Sequence, residues 1–375
     1  MKNRMIYADN AATTKLDAEA FEAMKPFLLE DYANPSQPYA FSRAAKAAIK
    51  TARQTIAECI NTEPEEIRFT SGGTESDNWA IKGMALSYGD SHAILTTQIE
   101  HHAVLRACEA METLGVPVAY LPVDKSGVIS AETLREYITD NTKMVSVMYA
   151  NNEIGSIQPI QDLCAVAHKS GALFHTDAVQ AMGHCTIDTK ALGIDLLSAS
   201  AHKFNGPKGI GFLYIRKGTR LHSLLNGGAQ EFGMRAGTEN VASIAAMAVA
   251  LQKSCLQIEE TGKRLKLLEE ILICKLREAS VPFVRNGSDN RLPGHLSLSF
   301  KGADGEALLH RLDLMGICVS TGAACDSKST QISHVLKAIQ LEESYAKGTI
   351  RITFGRDNTK EDAADVADAL IHILK

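Results

Sequence analysis

The feature that most constrains this chain is the alternation of short apolar runs with helical segments between residues 67 and 215. The runs with the length and composition of buried strands are 67–70, 93–97, 116–123, 144–150, 173–176, 196–199 and 210–215. Helical stretches separate most of them, which indicates a mostly parallel sheet with helices on both faces. We therefore predict an α/β fold whose ligands bind beyond the carboxyl ends of the strands.

Helical patterns flank this alternating region on both sides. Apolar residues recur at helical spacing within residues 17–61, which we predict to be mainly helical. Residues 238–279 are almost free of Gly and Pro and predict one long helix, of the kind that often connects domains. Strands predicted at 296–300 and 349–354, with helices between and after them, indicate a smaller α+β domain.

The composition is that of a soluble globular protein. Hydrophobic residues make up 45% and charged residues 22% of the 375 residues, which is enough for roughly two or three domains. A net charge of −5 gives no electrostatic reason to expect nucleic acid as the main ligand. We find no apolar run that suits a membrane span or a secretory signal. Eight cysteines without a C-x-x-C pair fit a reducing compartment, so we predict a cytoplasmic protein.

Lys203 lies in a Ser- and Gly-rich connection, residues 198–209, between two predicted strands. A lysine with limited solvation there would have a lowered pKa and could act as an amine nucleophile. Ser200 and His202 offer hydrogen-bond donors beside it, as a phosphate anchor needs. The alternative for Lys203 alone is a solvated loop lysine.

Two more segments follow predicted strands. Residues 71–78 open a helix, where Gly73 permits close approach of a ligand, Thr74 adds a hydroxyl and free N–H groups attract an anion. A plain helix N-cap is the alternative. His101 follows the next strand and could stack on a flat cofactor or carry protons, unless it is a capping or surface histidine.

A third group of polar residues surrounds Asp177. This carboxylate closes an apolar strand, where it is costly without a partner, and a protonated pyridine nitrogen is the partner that pyridoxal phosphate offers. Gln180, one helical turn later, could donate to the ring's phenolic oxygen. The alternative for Asp177 is an N-cap. Asn152, in the polar turn 151–155, could direct an amide at a substrate.

Two candidates lie in the C-terminal third. Cys325 belongs to a segment of small polar residues, 320–330. Such a segment suits an exposed nucleophile that accepts a group and transfers it to a second molecule. The alternative is an incidental surface cysteine. Arg351 sits among apolar residues of a predicted strand. It would grip a substrate carboxylate or, alternatively, form a structural salt bridge.

Together these residues resemble the cysteine desulfurases, the NifS/IscS-type branch of the fold-type-I pyridoxal-phosphate enzymes. The motifs that carry the resemblance are 7–14 (YADNAATT), 70–78 (TSGGTESDN), 151–155 (NNEIG), 175–180 (HTDAVQ) and 200–203 (SAHK). The resemblance implies a large cofactor-binding domain, residues 12–255, with a mostly parallel seven-stranded sheet. It also implies a small α+β domain, residues 1–11 and 256–375, that carries the Cys325 loop.

The resemblance further implies a role for each candidate residue. Lys203 would carry pyridoxal 5'-phosphate as a Schiff base, and Asp177, Gln180 and His101 would contact its ring. The cofactor-binding set is completed by Gly73, Thr74, Asn152, Ser200, His202 and, from the other subunit of a homodimer, Thr238. The substrate-binding set is Asn34, Asn152 and Arg351, and the catalytic set is Cys325, Lys203 and His101. No metal ligand is implied.

The implied activity converts L-cysteine to L-alanine and leaves a persulfide on Cys325 for a sulfur-acceptor protein. Acceptors in iron–sulfur cluster assembly, tRNA thiolation or DNA phosphorothioation are all compatible with the sequence. The alternatives are a selenocysteine lyase or another aminotransferase-like enzyme of this fold, and a non-catalytic assembly scaffold. Phe232, where relatives commonly carry Arg, and Ala229, where they carry Gly, depart from the pattern.

Overall fold

The computed structural model describes residues 4–88, 92–321 and 332–375. Its strands are β1 (Ile6–Tyr7), β2 (Ile67–Thr70), β3 (Ala93–Thr97), β4 (Val118–Leu121), β5 (Thr142–Ser146), β6 (Leu173–Asp177), β7 (Leu196–Ser200), β8 (Gly211–Ile215), β9 (Val284–Arg285), β10 (His295–Ser299), β11 (Ile317–Cys318) and β12 (Thr349–Thr353). Its helices are α1 (Ala18–Leu29), α2 (Arg43–Cys59), α3 (Gly73–Tyr88), α4 (His102–Glu112), α5 (Ala131–Tyr137), α6 (Ile160–Lys169), α7 (Thr189–Leu192), α8 (Val241–Leu256), α9 (Ile258–Glu278), α10 (Gly305–Leu314), α11 (His334–Ala338), α12 (Glu343–Ala346) and α13 (Lys360–Leu374).

The predicted α/β architecture is confirmed by a seven-stranded sheet within the described residues. Its strand order is β2-β8-β7-β6-β5-β3-β4. The strands from β7 to β4 pair in parallel, whereas β8 runs antiparallel to both β7 and β2. Because β2 and β7 both run opposite to β8, their carboxyl ends meet at the edge where β6 also ends. This shared edge is where ligands bind in such sheets.

The strand predicted at 144–150 lies earlier in the structure, at Thr142–Ser146. Beyond Ser146 the chain stays close to β6, since the amides of Val147 and Tyr149 donate to the carbonyls of His175 and Asp177 at 3.1 and 2.8 Å. The pattern of apolar residues continues through residues 147–150 because their side chains remain buried. Regular pairing nevertheless ends, and the chain turns into the polar segment at 151–155.

Apolar side chains cover both faces of this sheet. Along β8, Phe212 belongs to the core on one face and Leu213 to the core on the other, as the alternation of side chains in a strand requires. Leu197 and Leu196 divide in the same way on β7. Helices α1 and α2 pack against α8 on the first face, and α3 packs against α4 on the second.

The helix predicted over 238–279 is two helices, α8 and α9, that meet at an angle of 70°. Gln257 between them has φ −112° and ψ 7°, outside the helical range. Apolar residues of α8 belong to the core of the large sheet, whereas those of α9 belong to a second core. Because of the bend, α8 packs into the first core and α9 into the second. No described helix could by itself cross a membrane; only α8 and α9 counted together, across their bend, have the length and apolarity.

The second core surrounds a three-stranded antiparallel sheet of order β12-β10-β9 and a parallel pair, β1 with β11. It is formed by Ile6 and Ala8 together with residues between 265 and 373. Strand β12 also holds the N-terminal segment, because the amide of its last residue, Thr353, donates to the Ala8 carbonyl at 2.7 Å and the Thr353 carbonyl accepts from the Asn10 amide at 3.2 Å. The domain boundaries at residues 11–12 and 255–256 stay a prediction.

Candidate active site

A cavity of about 610 Å³ opens at the carboxyl edge of the large sheet. The β2–α3 turn, the ends of β6 and β7, the segment 11–13 and strand β12 all contribute to it. The predicted site residues that line it are Gly73, Thr74, His101, Asn152, Asp177, Gln180, Ser200, His202, Lys203 and Arg351. The volume is within the range of about 300–1,000 Å³ that small-molecule sites occupy.

Lys203 ends a short 3₁₀ turn that directly follows β7. Its Nζ donates to the carbonyls of Ala11 and Ala12 at 2.5 and 2.8 Å. On the preceding residue, the Nδ1 of His202 lies 3.1 Å from Oγ1 of Thr13. The N-terminal segment thus holds both side chains at the cavity, and Lys203 is half-buried there.

Asp177 ends β6 and is 95% buried, since its exposed fraction is 5%. Burial raises the pKa of this carboxyl to about 6, although the charge of Lys203 and the Val179 amide, which donates to Oδ1 at 2.9 Å, both oppose the increase. A cation bound opposite Asp177 would stabilise the carboxylate further. Gln180 lies one turn later, and its Nε2 donates to the Ala11 carbonyl at 2.9 Å.

The β2–α3 turn brings the N-terminus of α3 against β6 and β7. Gly72 has φ +147°, a conformation that L side chains rarely adopt. A Cβ on Gly73 would lie 2.6 Å from Cγ2 of Val179, so only glycine fits at this position. The first-turn N–H groups of α3 lie next to Ser200 and to the exposed Thr74, an arrangement suited to an anion such as phosphate.

His101 both caps a helix and faces the cavity. Its Nδ1 accepts a hydrogen bond from the Ala103 amide at 3.1 Å, at the start of α4. Burial, with smaller effects of Lys203 and His102, lowers the pKa of His101 to about 4. The ring is therefore neutral near pH 7, and because Nδ1 accepts, the proton is on Nε2. His101 can therefore cap α4 and also face a ligand in the cavity.

Arg351 projects from β12 into the same cavity and is 95% buried. Its Nη2 pairs with Oδ1 of Asp9 at 2.8 Å, and its Nη1 donates to the carbonyl of Asn152 at 2.9 Å. Its Nε has no hydrogen-bond partner among the described residues. The guanidinium is thus held by a structural ion pair, and each terminal nitrogen has a second N–H besides the one used in these bonds.

Two predicted residues do not line this cavity, and a third lies outside the described residues. The Oδ1 of Asn34 accepts from the Ser36 amide at 2.9 Å in a local turn. Thr238 is exposed and lines a smaller hollow beside Arg235. Cys325 lies outside the described residues. The roles predicted for these three residues, like those of the residues that line the cavity, stay predictions.

Sequence reasoning missed several residues that the cavity depends on. The carbonyls of Ala11 and Ala12 receive Lys203, and Asp9 pairs with Arg351. The sequence signal that could have identified these residues is the motif at residues 7–14, which lies far from the other motifs along the chain. Asp77, a buried carboxyl on α3, also lines the cavity and was visible only as part of the glycine-rich motif.

The comparisons with known proteins agree with this geometry. The family model described as "Aminotransferase class-V" matches residues 6–366. "Cysteine desulfurase IscS" of Dictyoglomus turgidum is 48% identical over 99% of this chain and 95% of its own length. A solved structure described as "NIFS-LIKE PROTEIN" has a TM-score of 0.93 and 36% identity, and the match covers 99% of both chains. Another, "SspA in complex with cysteine", has a TM-score of 0.83 and 36% identity over 93% of this chain and 98% of that one.

These matches extend over nearly the whole chain, and the enzymes of this family depend on pyridoxal 5'-phosphate. The cavity residues that the family motifs predicted are brought together by the same fold. The chain belongs to the class-V aminotransferase family, in its branch of cysteine desulfurases.

Proposed function

We propose that this protein is a cysteine desulfurase that converts L-cysteine to L-alanine and transfers the sulfur to Cys325 as a persulfide. The observation that carries the proposal is the convergence of Lys203, Asp177 and His101 on one cavity, in a chain similar over its whole length to proteins named cysteine desulfurase. An amine, a buried carboxylate and a neutral imidazole are the groups that this reaction needs around pyridoxal phosphate.

The residues present fit this cofactor. The carboxylate of Asp177 is buried, and the positive charge of Lys203 favours its ionised form, an environment that suits a protonated pyridine nitrogen. Gly73 has no room for a Cβ and Gly72 has φ +147°, so neither position favours a side chain, which suits close approach of a phosphate to the N-terminus of α3. Asp177, Gln180 and His101 would hold the ring, and Thr74, Ser200 and His202 the phosphate.

When bound, pyridoxal phosphate acts as a sink for the electron pair released from the substrate's α-carbon. Lys203 is the amine that would bind the cofactor and take the α-proton. His101 would stack on the ring, and its neutral imidazole can accept or return a proton near the substrate. Arg351 and Asn152 would orient the substrate carboxylate.

The transfer step conserves atoms and electrons. The thiolate of Cys325 attacks the substrate sulfur, the bond between this sulfur and the β-carbon breaks, and the β-carbon takes a proton. Cysteine and the enzyme thiol thus become alanine and an enzyme persulfide, and no external oxidant or reductant is needed.

The position of the chain before Cys325 supports this role. The backbones of Ser320 and Arg351 bond to each other in both directions, at 3.0 and 2.6 Å. Arg351 lines the cavity, so the chain enters the segment with Cys325 beside it. The separation of five residues between Ser320 and Cys325 limits their distance to at most about 18 Å.

Product analysis with cysteine variants tests the proposal. We expect the wild-type holoenzyme to form alanine and sulfane sulfur from L-cysteine in equal amounts. Cys325→Ser should keep the absorbance of the bound cofactor but lose persulfide labelling. Cys274→Ser, which changes an exposed cysteine on α9, is the matched control and should retain full transfer. Full transfer by Cys325→Ser, a keto acid product, or turnover of selenocysteine alone would contradict the proposal.

We propose a homodimer, in which Thr238 of each subunit contacts the cofactor phosphate of the other. The exposure of Thr238, outside the cavity of its own chain, supports this arrangement.

A cytoplasmic location is supported by the use of Cys108 and Cys164 as free, buried apolar side chains. The sulfur acceptor would be a second protein, and capture with the persulfide-loaded enzyme would identify its class.

A further inference from the structure

A second buried carboxyl lies at the cavity beside Asp177. Asp77, on the second turn of α3, lines the cavity yet has an exposed fraction of only 1%. Its Oδ1 has no hydrogen-bond partner among the described residues. One oxygen of Asp77, one of Asp177 and one ring nitrogen of His101 all lie within 4.8 Å of one another. The predicted roles of the cavity residues make no use of Asp77.

The surroundings of Asp77 offer little that would stabilise a negative charge. Its Oδ1 lies 3.7 Å from Nε2 of His175, whose pKa burial lowers to about 3, so that ring is neutral. The other charged or titratable groups that act on it are the carboxyls of Asp177 and Glu100. The Ser198 hydroxyl is a polar contact that favours its ionised form. Burial and the Asp177 charge together hold the pKa of Asp77 well above the usual carboxyl range.

Asp177 is better placed to carry a charge. Its Oδ1 accepts the Val179 amide at 2.9 Å, and the charge of Lys203 favours its ionised form. Two neighbouring carboxyls in a buried site cannot both ionise without a large cost. The proton of the pair therefore belongs on Asp77 and the negative charge on Asp177.

We propose that Asp77 is a positioning residue that remains a neutral carboxylic acid, so that the single negative charge of the pair stays on Asp177 opposite the cofactor ring nitrogen. This inference rests on the proposed cofactor site. The Asp77 hydroxyl donates to Ser198 Oγ, and Ser198 donates to Nε2 of His175. The Nε2–Oγ distance is 3.0 Å.

The chain of hydrogen bonds ends at Ser146. Nδ1 of His175 donates to Oγ of Ser146 across 2.8 Å. Each donor from Asp77 to the His175 ring then has an acceptor, and the oxygen of Asp77 left without a partner is an uncharged carbonyl. An uncharged orphan acceptor costs far less than a buried, unpaired carboxylate.

Isotope-edited infrared spectra of the holoenzyme test the proposal directly. Labelling with [4-¹³C]aspartate separates aspartic acids from the buried glutamic acids Glu100 and Glu153. We expect the band of a protonated aspartic acid to persist above pH 7.5 and to disappear in Asp77→Asn. In Asp177→Asn the band should titrate at lower pH, because the neighbouring negative charge is gone. A wild-type holoenzyme without this band, or a band retained in Asp77→Asn, would overturn the proposal.

A pair of variants at one position separates positioning from packing. Asp77→Ala removes the donor to Ser198 and should weaken cofactor binding about tenfold, whereas Asp77→Asn keeps a neutral donor and should recover most of that loss. Equal losses in the two variants would contradict the proposal. If neither folds, the wild-type spectrum still decides. The band does not depend on turnover, so a failure of the proposed desulfurase activity would leave this result unchanged.

Discussion

At the scale of single residues, Arg351 shows why a structural and a functional interpretation need not compete. Its ion pair with Asp9 and its bond to the Asn152 carbonyl fix the guanidinium in a buried position. These contacts use two nitrogens and leave Nε without a partner among the described residues. A buried guanidinium held in one orientation loses little conformational entropy when a carboxylate binds.

Arg351→Lys tests the role of this residue in substrate binding. Lysine keeps the charge but cannot make a bidentate grip, so KM for L-cysteine should rise about tenfold or more while kcat changes less. Alanine formation at several cysteine concentrations measures both constants. Arg285→Lys, in an ion pair with the highly exposed Asp289, is the matched control. A lower melting temperature with unchanged KM would show that Arg351 is structural only.

Phe232 gains a physical explanation from the structure. It lies in a left-handed conformation, φ +60°, and exposes 57% of its surface. The guanidinium of Arg68 lies 4.4 Å from its ring centroid and that of Arg53 lies 5.0 Å away. An aromatic face attracts both cations, whereas an arginine at this position would repel them. The preceding residue, Glu231, anchors the turn through its buried ion pair with Arg53 at 2.8 Å. Nothing in the structure explains Ala229.

At the scale of elements, the N-terminus of α3 and the end of β6 form one unit. Gly73 begins the helix and lies against Val179, two residues after Asp177. The proposed phosphate site and Asp177 are therefore set relative to each other by one close contact.

Gly73→Ala should disturb this unit. The added Cβ would lie 2.6 Å from Cγ2 of Val179, so the helix start must move away from β6. We expect the affinity for pyridoxal phosphate, measured by absorbance titration, to fall about tenfold or more because overpacking costs about 1–3 kcal/mol. Gly262→Ala, within helix α9, is the control, because the added Cβ would lie 3.6 Å from Cγ of Pro293, an ordinary van der Waals contact. Equal cofactor affinity in the two variants would contradict this prediction.

At the scale of the whole molecule, the site is surrounded by buried acids that affect stability. Glu100 is fully buried, and burial raises its pKa to about 8 from an ordinary value of 4.5. Between these values the native state keeps a proton that the unfolded chain releases. The stability contributed by protonated Glu100 is therefore complete below pH 4.5 and is lost as pH rises toward 8.

Glu100→Gln should remove this dependence on pH. The amide oxygen can accept from Thr97 and Met148 as the carboxyl does now, at 2.6 and 3.0 Å. At each pH we compare the free energy of unfolding of the variant with that of wild type. We expect the variant's advantage to be larger at pH 8 than at pH 5.5, by at least about 1 kcal/mol. Urea denaturation at both pH values measures this difference. Glu270→Gln, at an exposed position, should show none.

The proposed homodimer predicts complementation between two defective variants. Lys203→Ala should be inactive, and Thr238→Ala should bind the cofactor weakly. In a mixed dimer, the site that keeps Lys203 receives the intact Thr238 of its partner. Mixing should therefore raise the activity per Lys203 site above that of Thr238→Ala alone. No increase, with mixed dimers present by mass spectrometry, would show that Thr238 does not act across an interface.

The local features of this protein are determined by its sequence alone. Apolar runs of strand length predicted the positions of β2, β3, β6, β7 and β8 to within a residue or two, because burial on both faces requires continuous apolar side chains. The motifs that surround Lys203 and Asp177 identified the chemistry, since each places an uncommon polar residue at a strand end.

Only the tertiary structure decided the contacts between distant segments. The carbonyls of Ala11 and Ala12 receive Lys203 across 192 and 191 residues, and Asp9 meets Arg351 across 342 residues. The bend between α8 and α9 and the proximity of Asp77 to Asp177 also depend on packing. Local propensity contains no information on which surfaces a helix will cover, so such features follow from the core as a whole.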